Sequence, residues 1–209
     1  MMFLVPTGGM LGSCFGILTS PGHRGIPAGI KSGMIWAADN QAYTKGFMGD
    51  EFFEWLDRAK EYRNTCLFVA CPDVVGNARK TLELFEKWHN RFEGWPVAFV
   101  AQDGQENLEF PPSDQWQALF IGGSTIWKMS DGAIECIRRA QALGKHIHIG
   151  RVNYFNRYQH FASLEGSERF TCDGTRIRFQ RTQTIKDWQK YMESPKQYGL
   201  FVSNSDSPG

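Results

Sequence analysis

One theme recurs along the 209 residues without any repeat of sequence, and it constrains the fold more than any other feature. A short, almost continuously apolar run ends in a polar or Gly-rich turn, and an amphipathic segment follows. The runs are MMFLVPTG (1–8), MIWAADN (34–40), CLFVACPD (66–73), PVAFVAQD (96–103), ALFIGGS (118–124), HIHIGRV (146–152) and RFTCDGT (169–175). Strands covered on both faces of a parallel sheet read this way, because neither face meets water. The segments between have helical spacing. In 77–92 the apolar residues are Ala78, Leu82, Phe85, Trp88 and Phe92; in 131–143 they are Ala133, Ile134, Ile137, Ala140 and Leu143. Asp131 is placed to cap the second of these, and Gly144 sits where a helix-ending glycine belongs. Residues 50–62 open on acids, as a helix N-terminus favours, and 183–193 carry Ile185, Trp188 and Met192 at helical spacing.

Strands alternating with helices imply βαβ units and a parallel sheet. Seven candidate strands, with an eighth expected in the weakly patterned C-terminal part, favour an α/β fold closed into a compact (β/α)8 barrel of the TIM type. An open doubly wound sheet is the alternative. Residues 9–33 break the pattern with Gly, Pro and Ser and read as a long loop, of the kind that often carries function. The expected organisation is one barrel domain over 1–202 and a disordered tail, SNSDSPG, over 203–209.

Composition narrows the class. With 42% apolar and 22% charged residues the chain has the makeup of an ordinary globular domain. It holds no run of 18 apolar residues, so no transmembrane helix is expected, and the apolar N-terminus lacks the basic start of a signal peptide. Five cysteines, an odd number without a CxxC pair, argue against a disulfide framework or a structural zinc module and for a reducing cytoplasm. Net charge is +1, but residues 138–196 hold twelve Lys and Arg against five Asp and Glu. That asymmetry suits either a polyanionic partner or a solvated basic face.

The candidate chemistry lies at the strand ends. Asp39 ends the second run, Asp73 the third, Gln102 and Asp103 the fourth, Gly122 and Gly123 the fifth, Gly150 the sixth and Asp173 the last. In a parallel barrel these ends share one mouth, where active sites are built. A lone acid at a strand end commonly caps a helix or forms a turn; acids and a glutamine at successive ends are harder to explain so. Two carboxylates can act as nucleophile and proton shuttle, a further Asp and a Gln can bind a planar polar ligand, and glycines let it approach the backbone. Glycosyl transfer through a covalent intermediate uses such a carboxylate pair.

Six segments in order carry a resemblance: WAADNQAY (36–43), FVACPDVVGN (68–77), AFVAQDG (98–104), FIGGSTIWK (120–128), HIGRVN (148–153) and TCDGT (171–175). They resemble the queuine and archaeosine tRNA-guanine transglycosylases, and most nearly the short phage and bacterial relatives that insert 7-deazaguanine bases into DNA. The resemblance spans 36–175, about two thirds of the chain. It implies Asp173 as the nucleophile at C1′ of the target deoxyguanosine and Asp39 as the general acid/base. It implies Asp73 on the base's N1 and exocyclic amine, Gln102 with the Gly122 and Gly123 backbone on its O6 side, and Gly150 as a space-giving residue. The incoming base would be a 7-deazaguanine such as preQ0. The tRNA enzymes carry a C-terminal CxCxxC-type zinc site, which this chain lacks, and its C-terminal part is far shorter. DNA is therefore the expected partner, with a transglycosylase-like enzyme acting on tRNA as the alternative, companion modification proteins or an oligomer as further partners, and no cofactor.

Two other groups of residues bear on function. Cys71, Cys172, His146 and His148 have the ligand types of a zinc site, but each cysteine lies close before an aspartate and would point into the wall while the acid points to the mouth; no metal is expected. Lys128, Arg151, Asn153, Tyr154, Arg157 and Tyr158 mix basic and aromatic residues after the fifth and sixth runs. Those types suit phosphate contact and stacking on splayed bases, and equally the polar face of an amphipathic helix. The rival classes are a barrel hydrolase of a small phosphorylated or glycosidic substrate and a non-catalytic nucleic-acid-binding barrel.

Overall fold

A computed structural model describes residues 1–6, 15–21, 25–42 and 46–174. Eight parallel strands close into a barrel in sequence order: β1 (Met2–Pro6), β2 (Phe15–Thr19), β3 (Trp36–Ala38), β4 (Cys66–Ala70), β5 (Val97–Ala101), β6 (Ala118–Ile121), β7 (His146–Ile149) and β8 (Thr171–Asp173). Closure is made by β8 on β1, with Phe3 opposite Cys172 and Leu4 opposite Asp173. Helices α1 (Ala28–Lys31), α2 (Gly49–Ala59), α3 (Ala78–Trp88), α4 (Thr125–Lys128), α5 (Asp131–Ala142) and α6 (Phe155–Ala162) lie between the strands. The fold is a (β/α)8 TIM-type barrel of the α/β class. No helix among the described residues is long and apolar enough to cross a membrane.

The eighth strand is not where the sequence pattern puts it. It is β2, inside the Gly-rich stretch 9–33, and the run at 169–175 supplies the last strand rather than the seventh. The residue that hides it is Gly16. A Cβ there would stand 2.7 Å from Leu4 Cδ2 and 2.9 Å from the Ile35 carbonyl oxygen, so the close approach of β1 and β3 requires glycine in mid-strand. That glycine, with the Gly- and Pro-rich flanks, conceals the FGILT strand from a hydrophobicity count. The expected 183–193 helix and the 203–209 tail lie outside the described residues.

Alternation along each strand sorts side chains into two layers. Leu4, Ala37, Phe68, Ala98 and Ala118 pack inside the barrel, with Met2, Leu18 and Phe120 against them. Three alanines at this level leave the volume that Phe68 and the rings of β6 and β7 fill; truncating a buried Phe such as Phe68 to Ala costs about 3–5 kcal/mol. The outward residues meet the helices in a larger aromatic sheath, where Trp36 lies edge-on to Trp55 and to Trp95, each at 5.9 Å. Helix ends follow local chemistry. Asn77 caps α3 by accepting the Lys80 N–H at 3.0 Å. Asp131 opens α5 as its first residue rather than its cap, which is Ser130, and Gly144 follows the helix at φ +70° as expected.

Candidate active site

The C-terminal ends of the strands surround a cavity of about 510 Å³, and Asp39, Asp73, Gln102, Gly122, Gly123, Gly150, Arg151, Asn153 and Asp173 all line it. Asp39, Asp73 and Asp173 are therefore together, on one cavity, although β3, β4 and β8 are remote in sequence; Asp103, also expected at the mouth, does not line it. Val75, Val100 and Phe120 supply apolar walls.

Asp39 follows β3. Its N–H donates to the Thr19 carbonyl at 2.8 Å, and its Oδ1 accepts the Gln41 N–H at 3.1 Å. Gln41 adopts φ +60°, and its Nε2 donates to Ser20 Oγ at 2.8 Å. Burial raises the Asp39 carboxyl to about 6, the charge of Asp173 adds to the rise, and the Gln41 N–H pulls weakly the other way. The group is thus poised to hold and release a proton near neutral pH.

Asp73 is braced on both oxygens. Asn40 Nδ2 donates to Oδ1 at 2.8 Å and Gln102 Nε2 donates to Oδ2 at 2.6 Å. Asn40 also donates to the Cys71 carbonyl at 2.6 Å, so it ties the β3 and β4 ends together. Burial raises the Asp73 carboxyl, and the Asn40 and Gln102 donors oppose the rise. Gln102 is fully buried, and its Oε1 accepts the N–H groups of Gly76 (2.9 Å) and Gly123 (2.8 Å). Each carboxylate oxygen of Asp73 keeps a lone pair for a ligand N–H.

This network corrects one expectation. The Gly122 N–H donates to the Ala101 carbonyl at 2.9 Å and the Gly123 N–H to Gln102, so both backbone donors are used within the protein rather than offered to a ligand. Their part is steric and conformational. Gly123 stands at φ +63°, where a Cβ would lie 2.5 Å from the Trp127 ring and 2.7 Å from Asp103 Oδ2. Asp103 itself turns to Ser124, taking its N–H at 2.7 Å and its Oγ at 2.5 Å, and so fastens the β5 end to the β6 loop.

Asp173 ends β8. Its Oδ1 accepts the Arg151 N–H at 2.9 Å and faces His148 Nε2 at 3.2 Å. Among the described residues no hydrogen bond falls on Oδ2. Arg151 holds φ +57°, an uncommon backbone state for a side-chain-bearing residue, and sends Nη2 to the Gly123 carbonyl at 2.5 Å. It therefore locks the β6 and β7 loops while its backbone serves Asp173.

The basic and aromatic residues divide. Arg151 and Asn153 face the cavity; Arg157 is half-buried, with its guanidinium 5.0 Å over the exposed Tyr154 ring. Lys128 and Tyr158 depart from the expectation. Lys128 is buried and donates to the Gly150 carbonyl at 2.7 Å, and Tyr158 is buried with its hydroxyl on the Met1 carbonyl at 3.0 Å. Both face inward because their stems lie on the core side of α4 and α6. Burial lowers the Lys128 ammonium to about 7, with the Arg151 charge adding to the fall. Cys71 and Cys172 pack in the outer sheath whereas His148 packs within the barrel, so wall and lumen divide the zinc-ligand types. Among the described residues no group of three metal-ligating side chains is placed to hold an ion.

The sequence pattern does not single out Asn40 as a site residue, and it offers His148 only among the zinc-ligand types, not as the neighbour of Asp173. A signal for His148 is present in HIHI, where period two puts His146 and His148 on one face, but the inward face cannot be chosen without the register to Thr171. No family model, curated protein or solved structure matches the chain.

Proposed function

We propose that the protein is a base-exchange transglycosylase that replaces guanine in DNA with a 7-deazaguanine of the preQ0 type, through a covalent glycosyl–aspartyl intermediate. The observation that carries this reading is the pair of carboxylates on one cavity, with Asp39 raised to about 6 beside Asp173, together with a braced third carboxylate, Asp73. Carboxyls in such unequal surroundings divide into proton carrier and nucleophile. The resemblance of the strand-end segments to the transglycosylases supports the same assignment.

The target nucleotide leaves the stack and enters the cavity. Its base lies between Phe120 and the Val75–Val100 wall, with N1–H and the exocyclic amine on Asp73. Asp73 discriminates because adenine presents no N1–H donor. Asp173 Oδ2 attacks C1′, the glycosidic bond breaks, and its electron pair leaves with the guanine, which takes the proton from Asp39. A 7-deazaguanine replaces the guanine and gives its ring N–H proton to Asp39. Its nitrogen attacks C1′, and the bond to Asp173 breaks to restore the carboxylate. Two inversions return the original configuration, and protons and electrons balance over the cycle.

Incubation of duplex DNA with isotope-labelled preQ0, followed by digestion and nucleoside mass spectrometry, tests the reading, with tRNA run in parallel. Labelled deazaguanine nucleoside in DNA with matching guanine release is expected. Label in tRNA alone would move the activity to RNA, and turnover without any base exchange would favour the hydrolase class.

A further inference from the structure

A chain of hydrogen bonds runs down the inside of the barrel from the mouth. Asp173 Oδ1 lies 3.2 Å from His148 Nε2, His148 Nδ1 lies 2.9 Å from Thr171 Oγ1, and Thr171 Oγ1 lies 2.8 Å from His146 Nε2. Register explains the alignment: β7 and β8 are parallel neighbours with His148 opposite Thr171, so alternate residues of both strands fall on one inner face. His146 reaches a second cavity, of about 220 Å³, at the opposite end of the barrel. The chain therefore spans the distance between the two cavities.

We propose that His148 is a positioning residue for Asp173, held as the Nε2–H tautomer by a one-way hydrogen-bond chain from His146 through Thr171. The inference rests on Asp173 being the nucleophile, but the direction of the chain does not. A carboxylate oxygen only accepts, so His148 Nε2 carries a proton and donates to Oδ1. A neutral imidazole then has a bare Nδ1, which accepts the Thr171 hydroxyl proton. That hydroxyl has a single proton, so its oxygen accepts from His146, and His146 Nε2 also carries a proton. Every donor then points toward Asp173, and the bonds polarise one another in the same sense.

Aromatic rings pack on both imidazoles. His148 is fully buried, with Phe68 at 4.9 Å and Phe120 at 4.5 Å packed on its ring. Phe68 also stacks on His146 at 6.1 Å, and burial lowers His146 to about 4. The two phenyl rings fix the imidazole plane, and the Thr171 hydroxyl fixes which nitrogen holds the proton. With the Arg151 N–H on the same oxygen, Oδ1 is pinned, while Asp173 lines the cavity and its Oδ2 takes no hydrogen bond among the described residues. Positioning of this kind acts on the reacting geometry rather than on substrate affinity.

Two measurements test the proposal. Nitrogen-15 NMR of the histidine rings in the wild-type protein at pH 7 should show His148 and His146 each protonated at Nε2 and bare at Nδ1. A His148 protonated at both nitrogens, or at Nδ1 alone, overturns the chain whatever the enzyme does. Thr171→Val keeps the shape and removes the hydroxyl. It should slow covalent adduct formation at saturating DNA on the order of tenfold, with KM changed by less than about twofold, and Thr171→Ser should restore the rate. Equal rates in Thr171→Val and wild type overturn the positioning role. If wild-type protein forms no adduct, the failure belongs to the nucleophile assignment, and the NMR result still decides the chain.

Discussion

Replacing Asp39 by Asn should stabilise the protein at neutral pH while removing the proposed proton carrier. The Asp39 carboxyl titrates at about 6 in the fold against an ordinary value of 3.8. The native state therefore holds its proton more tightly than the unfolded chain does. Between those two values the native state is protonated and the unfolded chain is not, so stability falls as pH rises, by about 1.4 kcal/mol per pH unit. The loss is absent below about pH 4 and complete above about pH 6. Roughly two units correspond to about 3 kcal/mol, and the partial exposure of Asp39 to the cavity brings the expected effect to about 1–3 kcal/mol. The amide introduced by Asp39→Asn carries no charge to desolvate and no repulsion toward Asp173, and its carbonyl can still accept the Gln41 N–H. Reversible denaturant unfolding at pH 4 and pH 7.5 reads the difference. The variant should match wild type at pH 4 and exceed it at pH 7.5. Equal stabilities at both values, or a variant that is weaker at pH 7.5, would refute the claim that Asp39 is held against its preferred state.

Gln102→Leu should weaken both fold and base binding, because it leaves the Gly76 and Gly123 N–H groups without their acceptor and removes a donor from Asp73. A drop of about 2–4 kcal/mol in unfolding free energy, with a raised KM for the base, is expected, and calorimetry with steady-state kinetics checks both. Arg151→Ala with Arg157→Ala should flatten the salt dependence of DNA binding, by about one unit of slope for each phosphate no longer neutralised. Lys128→Met should leave that slope unchanged, since its ammonium is spent on the Gly150 carbonyl. An unchanged slope in the double arginine variant would make the basic surface a solvated one.

How far the sequence carries the account depends on the kind of information each element needs. Seven strands are legible because burial on both faces makes them almost continuously apolar, as in VAFVA and ALFI. β2 is not, because Gly16 and its flanks answer to the close approach of β1 and β3, a demand that only the folded barrel makes. The mouth is legible for Asp39, Asp73, Gln102 and Asp173, since strand ends in a parallel barrel converge whatever the intervening chain does. Side-chain direction is not. The inward turn of Lys128, the internal pairing of the Gly122 and Gly123 N–H groups and the His148 contact with Asp173 follow from register and loop conformation. Local pattern does not encode these.

The central claim, that Asp173 is the covalent nucleophile, is tested most directly by intact mass measurement of the protein after incubation with target DNA and no incoming base, followed by denaturation. Wild type should carry a DNA adduct that survives denaturation and disappears when preQ0 is added. Asp173→Asn should show none while binding DNA with unchanged affinity. An adduct of equal yield on Asp173→Asn, or base exchange by that variant at the wild-type rate, would contradict the account.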